Sequence, residues 1–293
     1  MAKAMAAPEQ CLNLPKEKVA IQMFAVYEDI TGVLPRPKPG EPWPLPTARP
    51  DQLADLFGRV RSQGWQQVEN FANTWSLPQA TYVELLSKSG LRAVASHDSL
   101  AAESWITALD RASALHQKFI GSGDFGKPGI NSLEETLATA ANLDRVGAEA
   151  RARGLRFYVH THQQEFRNKF SYDLRGNGVP ELVSVFDIVA ARAHPENVSF
   201  QIDVGWAHAA FGQQGQSDLL AMFRRYRDRI TLLHIKDVDS NFKPTDLGAG
   251  VVDFKKILAA AGPQIEYFIW EYDHPPKPME SAALAYRFMT CGT

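Results

Sequence analysis

The sequence predicts an α/β protein folded as one (β/α)8 barrel, and three observations carry that expectation. Short apolar runs alternate with helical patterns about eight times over 293 residues, the signature of βαβ units and a parallel sheet. Several runs, such as Ile230–Ile235 and Ile265–Trp270, lack polar alternation, as expected of strands covered on both faces. Eight units over this length fit a closed barrel better than an open doubly wound sheet, and such barrels reach about 250 residues as one domain. A single domain over residues 1–293 is therefore expected.

The expected strands, in order, are Val19–Val26, Trp65–Val68, Leu91–Ala95, Lys118–Ile120, Leu155–Val159, Val198–Ile202, Ile230–Ile235 and Ile265–Trp270. After the first comes a Pro-rich insertion at residues 33–50, whose prolines exclude a helix or a central strand. In a barrel it lies at the C-terminal face, as an active-site lid or as a stiff surface loop. Pro50 opens a helix with Leu53, Leu56, Phe57 and Val60 on one stripe, and Gly64 stops it. Ser132 and Glu135 fit a capping box for a helix that ends at Gly154. Further helical patterns cover residues 181–193, 217–228, 253–262 and 279–289.

Composition narrows the function classes. Lys and Arg number 31 against 33 Asp and Glu, a net charge of −2, which disfavours a general polyanion binder. No run approaches the ~18 apolar residues of a membrane span. The first residues lack the apolar core of a secretory signal, so a cytoplasmic protein is expected. Cys11 and Cys291 then read as two reduced thiols, with a disulfide as the alternative.

In a barrel, polar residues at the C-terminal strand ends are the functional candidates. They are Glu69 on strand two, His97 on three, and His160, His162 and Glu165 on five. Strand six offers Asp203, Trp206 and His208; strand seven His234, Lys236 and Asp237; strand eight Glu271, Asp273 and His274. Unpaired charges after apolar strands are costly to bury, so a cluster of imidazoles and carboxylates without thiolates points to Mn2+, Mg2+, Co2+ or Zn2+. Blander readings stand beside this one: Asp203 as a helix cap, His234 as a core histidine, Glu271 paired with Lys236. His97, His208 and His274 are incidental taken singly. Trp206 and Trp270 read as packing residues, or Trp206 as a wall for a sugar ring.

His160–Phe166, Asp203–Trp206, His234–Asp237, Leu247–Gly250 with Asp253, and Trp270–Asp273, in this order, resemble the sugar phosphate isomerase/epimerase family of xylose-isomerase-like TIM barrels. The resemblance spans essentially the whole chain, with Gln22 and Glu69 also fitting. It implies one divalent metal, commonly Mn2+, carried over to Glu165, Asp203, His234 and Glu271. His160 and His162 stand at the strand end where relatives of simpler pattern place the acid, so His162 is either a ligand in place of Glu165 or the neighbouring base. The implied chemistry is proton abstraction next to a carbonyl of a sugar or keto-sugar. Glu165, Glu271, His162 and Lys236 are the catalytic candidates, and His160, Trp206, His97, Glu69 and Arg229 the substrate-binding ones.

The same chemistry serves an isomerase, an epimerase, a keto-sugar dehydratase, or a lyase eliminating the aglycone of a 3-keto-glycoside, some of which pair with a small partner subunit. Homo-oligomerisation is the other assembly to expect. No Lys/Arg cluster is reserved for a phosphate, which favours a non-phosphorylated sugar. Gly121, Gly123 and Gly126 match a dinucleotide fingerprint, but Pro128 and Gly129 follow where its helix should begin, so they read as a loop at the barrel mouth. A metal-dependent hydrolase would carry its His-x-His pair on the first strand rather than the fifth. A nuclease would need more histidines and a basic groove, and a non-catalytic barrel would have a broken ligand set.

Overall fold

The computed structural model describes residues 11–32, 47–71 and 76–291. Eight strands close into a barrel in chain order. They are β1 Val19–Gln22, β2 Gln67–Phe71, β3 Arg92–His97, β4 Phe119–Ser122, β5 Arg156–His160, β6 Ser199–Asp203, β7 Ile230–Ile235 and β8 Tyr267–Trp270. Each overlaps an apolar run of the sequence. The main helices are α1 Pro50–Ser62, α2 Gln79–Ser89, α3 Ala102–Ala114, α4 Leu133–Ala152, α5 Val185–Arg192, α6 Val204–Phe211, α7 Gln216–Arg225, α8 Phe254–Ala261 and α9 Pro278–Thr290. The chain divides into two compact units: one of residues up to Val94, Ile235–Val252 and Tyr267 onward, the other of Ala95–His234 and Asp253–Glu266.

In the first unit, β1 pairs in parallel with β8, Ile21 beside Trp270, and with β2, Gln22 beside Glu69. Leu53, Leu56, Phe57 and Val60 of α1 are fully buried, as their spacing requires. Gly64, at φ 109°, lies so close to Tyr286 that a Cβ would come within 2.4 Å of its ring. Trp270 is buried and stacks on Trp65, so its packing role stands. Cys11 and Cys291 form a disulfide. This corrects the expectation of reduced thiols: the chain ends are brought within bonding distance, as backbone bonds from Leu12 to Phe288 and Leu14 to Met289 also record. The first ten residues, on which the leader reading rests, and residues 33–46 of the Pro-rich insertion lie outside the described residues.

In the second unit β4, β5, β6 and the bulk of β7 pair in parallel, with a register shift between Phe200 and Gln201. Ser132 caps α4 by accepting from the Glu135 N–H at 3.1 Å. Glu135 reaches back one residue further than a capping box does, to the Asn131 N–H at 2.9 Å. The helical pattern expected over 181–193 is split. Glu181–Ser184 is a strand paired antiparallel with Lys169–Tyr172, and the helix starts only at Val185. Ser184 is the reason, because its hydroxyl accepts from the Asp187 N–H and so sets the helix start.

Candidate metal centre

Side chains two residues apart on a strand share a face, so Gln201 and Asp203 of β6 project together. Register sets His160 of β5 beside Gln201 and His234 of β7 beside Asp203. All four are at most 1% exposed. The His160 and His234 rings are 4.4 Å apart. His160 Nε2 stands 3.9 Å from Asp203 Oδ2, too far for a hydrogen bond yet less than two metal–ligand bonds of about 2.1 Å end to end.

His160, Asp203, His234 and Glu271 each offer one ligand atom, and these atoms lie within 4.8 Å of one another. A second group, His97, His160 and His234, overlaps it. Two imidazoles and two carboxylates, all buried and without a thiolate, form a donor set that could hold a metal cation. Asp203 serves twice: Oδ1 accepts from the Trp206 N–H at 2.9 Å and caps α6, while Oδ2 is the oxygen toward His160. Glu271 accepts from the buried Lys236 Nζ at 2.9 Å, and Lys236 also pairs with Asp273 at 2.5 Å. The pairing reading and the ligand reading of Glu271 are thus compatible, since a carboxylate has two oxygens.

Glu165 is not one of the converging four. It sits in a one-turn helix, Gln164–Arg167, and its carboxylate accepts from the His162 backbone N–H at 2.8 Å. Burial pushes its pKa up to about 7, backbone hydrogen bonds restrain the rise, and the Asp124 carboxylate adds to it. The His162 ring is part-exposed and meets the His160 ring edge-on, centroids 4.9 Å apart. Glu69 is fully buried and accepts from Gln22 Nε2 at 2.6 Å, as the β1–β2 register dictates. Trp206 lies in the first turn of α6, part-exposed.

Arg229 is not brought to this end of the strands. It precedes β7, lies over the Phe200 ring, and donates to the carbonyls of Ala190, Ala193 and Val198. Asp237 organises a loop: its oxygens accept from the N–H groups of Val238, Gly248, Gly250 and Val252. A Cβ at Gly250 would come within 2.2 Å of Asp237 Oδ1, which explains the glycine there. Asp253 caps α8. His274 pairs with Glu28 and His208 with Gln216. The glycines of the dinucleotide pattern answer to packing: a Cβ at Gly121 would strike Tyr158, and one at Gly123 would sit 3.1 Å from His97 Nδ1.

Sequence reasoning missed Gln201, whose Oε1 lies 2.8 Å from His97 Nε2 and 2.9 Å from His160 Nδ1. Its signal was available: it stands two residues before Asp203 and therefore on the same face.

Comparison with known proteins bears on the family and the fold. A model of the xylose isomerase-like TIM barrel family matches residues 57–289. An inosose dehydratase of Lacticaseibacillus casei is 31% identical over 144 residues, a match that spans 43% of this chain and 42% of the relative. A sugar phosphate isomerase/epimerase from Parabacteroides distasonis superposes with a TM-score of 0.69 at 18% identity, covering 93% of each chain. A D-allulose 3-epimerase from Methylomonas sp. gives 0.61 at 16% identity, covering 97% of this chain and 99% of that one. At such identities the two structures speak to the fold. With the family pattern matched across most of its length and the barrel closed as that pattern requires, the chain belongs to the xylose isomerase-like TIM barrel family.

Proposed function

We propose that this barrel is a divalent-metal-dependent isomerase or epimerase that removes a proton next to the carbonyl of a sugar or keto-sugar. The observation that supports it most is the convergence of the buried ligand atoms of His160, Asp203, His234 and Glu271. A cation held there, Mn2+ by preference with Mg2+, Co2+ or Zn2+ as alternatives, would supply the Lewis acidity that makes such a proton removable.

The chain's own residues supply the rest. Lys236, clamped between Glu271 and Asp273, holds the Glu271 carboxylate in place and balances its charge. Glu165, with a pKa of about 7, is poised to take up and return a proton near neutrality, where general acid–base groups act best. His162, part-exposed beside His160, is the second proton carrier and would meet the substrate. His97, Glu69 and Trp206 would line the substrate. Expulsion of a neighbouring hydroxyl or aglycone after proton removal is the second reading, and the identity to an inosose dehydratase favours it.

Solvent-deuterium exchange, followed by NMR on a panel of ketoses and 3-keto-glycosides with Mn2+ present, tests both readings. Deuterium entering the carbon next to the carbonyl supports proton abstraction. Loss of water or aglycone in the same tube moves the assignment to a lyase, and no exchange into any substrate by the metal-loaded protein counts against both.

A further inference from the structure

We propose that Gln201 is a positioning residue that fixes the hydrogen of His160 on Nδ1 and so turns the lone pair of Nε2 toward the ligand cluster. The cluster's use as a metal site rests on the function proposed above; the hydrogen placement does not.

A carbonyl oxygen only accepts hydrogen bonds. Oε1 of Gln201 lies 2.9 Å from His160 Nδ1 and 2.8 Å from His97 Nε2, so both nitrogens carry hydrogen and donate to it. Gln201 is fully buried, where such contacts are not exchanged for water and an unmet acceptor is costly. For His160 the remaining nitrogen is Nε2, the atom that faces Asp203 Oδ2. For His97 the outcome is opposite. Its Nε2 is spent on Gln201, its ring stacks on His234 with centroids 5.4 Å apart, and Nδ1 looks toward Gly123.

One amide oxygen thereby sorts the two overlapping groups. It turns the Nε2 lone pair of His160 toward Asp203, one member of the group of four, while the Nε2 hydrogen of His97 is spent on Gln201. Backbone register makes this reproducible, because His160 and Gln201 are paired across β5 and β6. A second acceptor behind a ligating histidine is a common way to orient the ring and raise its basicity. A core-filling glutamine with no such role would leave His160 in the Nε2–H form that neutral imidazole prefers in water.

The test uses the full chain with ring-15N histidine, stripped of metal, at about pH 8, where an ordinary imidazole is neutral. Long-range 1H–15N correlation reads which nitrogen carries hydrogen, and His160→Gln identifies the His160 signals. The expected result is an Nδ1–H pattern for His160 in the wild type, kept in Gln201→Glu and lost in Gln201→Leu. Equilibrium dialysis against Co2+ should then show affinity weakened about 10- to 100-fold in Gln201→Leu. An Nε2–H pattern in the wild type, or identical His160 signals in wild type and Gln201→Leu, overturns the inference. Because the NMR is read without any cation, a wild type that binds no Co2+ would strike the proposed function while the hydrogen placement is still decided.

Discussion

Glu165 is the residue whose environment makes the sharpest demand. Its folded pKa of about 7 exceeds the ordinary 4.5 because burial disfavours the charged form. Between those values the unfolded chain has lost a proton that the folded one retains, so stability falls as pH rises. The contribution is whole below about pH 4.5 and gone above about pH 7, a change of order 3 kcal/mol. The urea midpoints of metal-free wild type and Glu165→Gln, measured between pH 4.5 and 8, should therefore diverge, the wild type losing ground as pH rises. Parallel pH profiles would contradict the burial argument. Residue-level chemistry was legible for Asp203, His234 and Glu271, which follow apolar strands and so announce a reason to be polar. It was not legible for Gln201, a neutral residue whose role comes from the two histidines that register places around it. Arg229 could have been set aside from the sequence, since the expected strand Ile230–Ile235 already places it before β7 and away from the C-terminal strand ends.

Elements were read well where local chemistry sets them and poorly where tertiary pairing does. The stripe on α1 and the cap on α4 are local features, and both are present. Ser132→Ala should cost about 1 kcal/mol in thermal or urea unfolding, since one N–H at the start of α4 loses its acceptor. By contrast, the strand Glu181–Ser184 exists because Lys169–Tyr172 is there to pair with it, and no periodicity within residues 181–193 announces that partner. The loop after β7 is held by one carboxylate. Gly250→Ala would force a methyl against Asp237 and break its hydrogen bonds to the loop. We expect a loss of roughly 2–4 kcal/mol, with faster amide exchange at Gly248 and Val252 as its local mark. Unchanged exchange there would mean that Asp237 does not organise the loop.

At the scale of the whole molecule, eight apolar runs sufficed to read the closed barrel, because each βα unit repeats the same demand for burial on both faces. Reduced thiols were the expectation for Cys11 and Cys291 and their pairing only the alternative, since two distant cysteines carry no local signal of their proximity. The bridge spans 280 residues, and on the loop-entropy account it stabilises the fold by up to roughly 5 kcal/mol. Reduction, or Cys11→Ser, should lower the Tm by several degrees without altering metal binding. An unchanged Tm would show that the backbone bonds beside it already fix the chain ends. No helix among the described residues is long and apolar enough to cross a membrane.

Whether His160, Asp203, His234 and Glu271 hold one divalent cation, as proposed, is decided by metal content after reloading. Chelator-treated protein, reloaded with Mn2+ and desalted, should retain one equivalent by elemental analysis in the wild type and in Glu165→Gln. The ion should be lost in Asp203→Asn and His160→Ala. Retention in Asp203→Asn, or loss in Glu165→Gln with retention in His160→Ala, would mean that these four residues are not the ligand set.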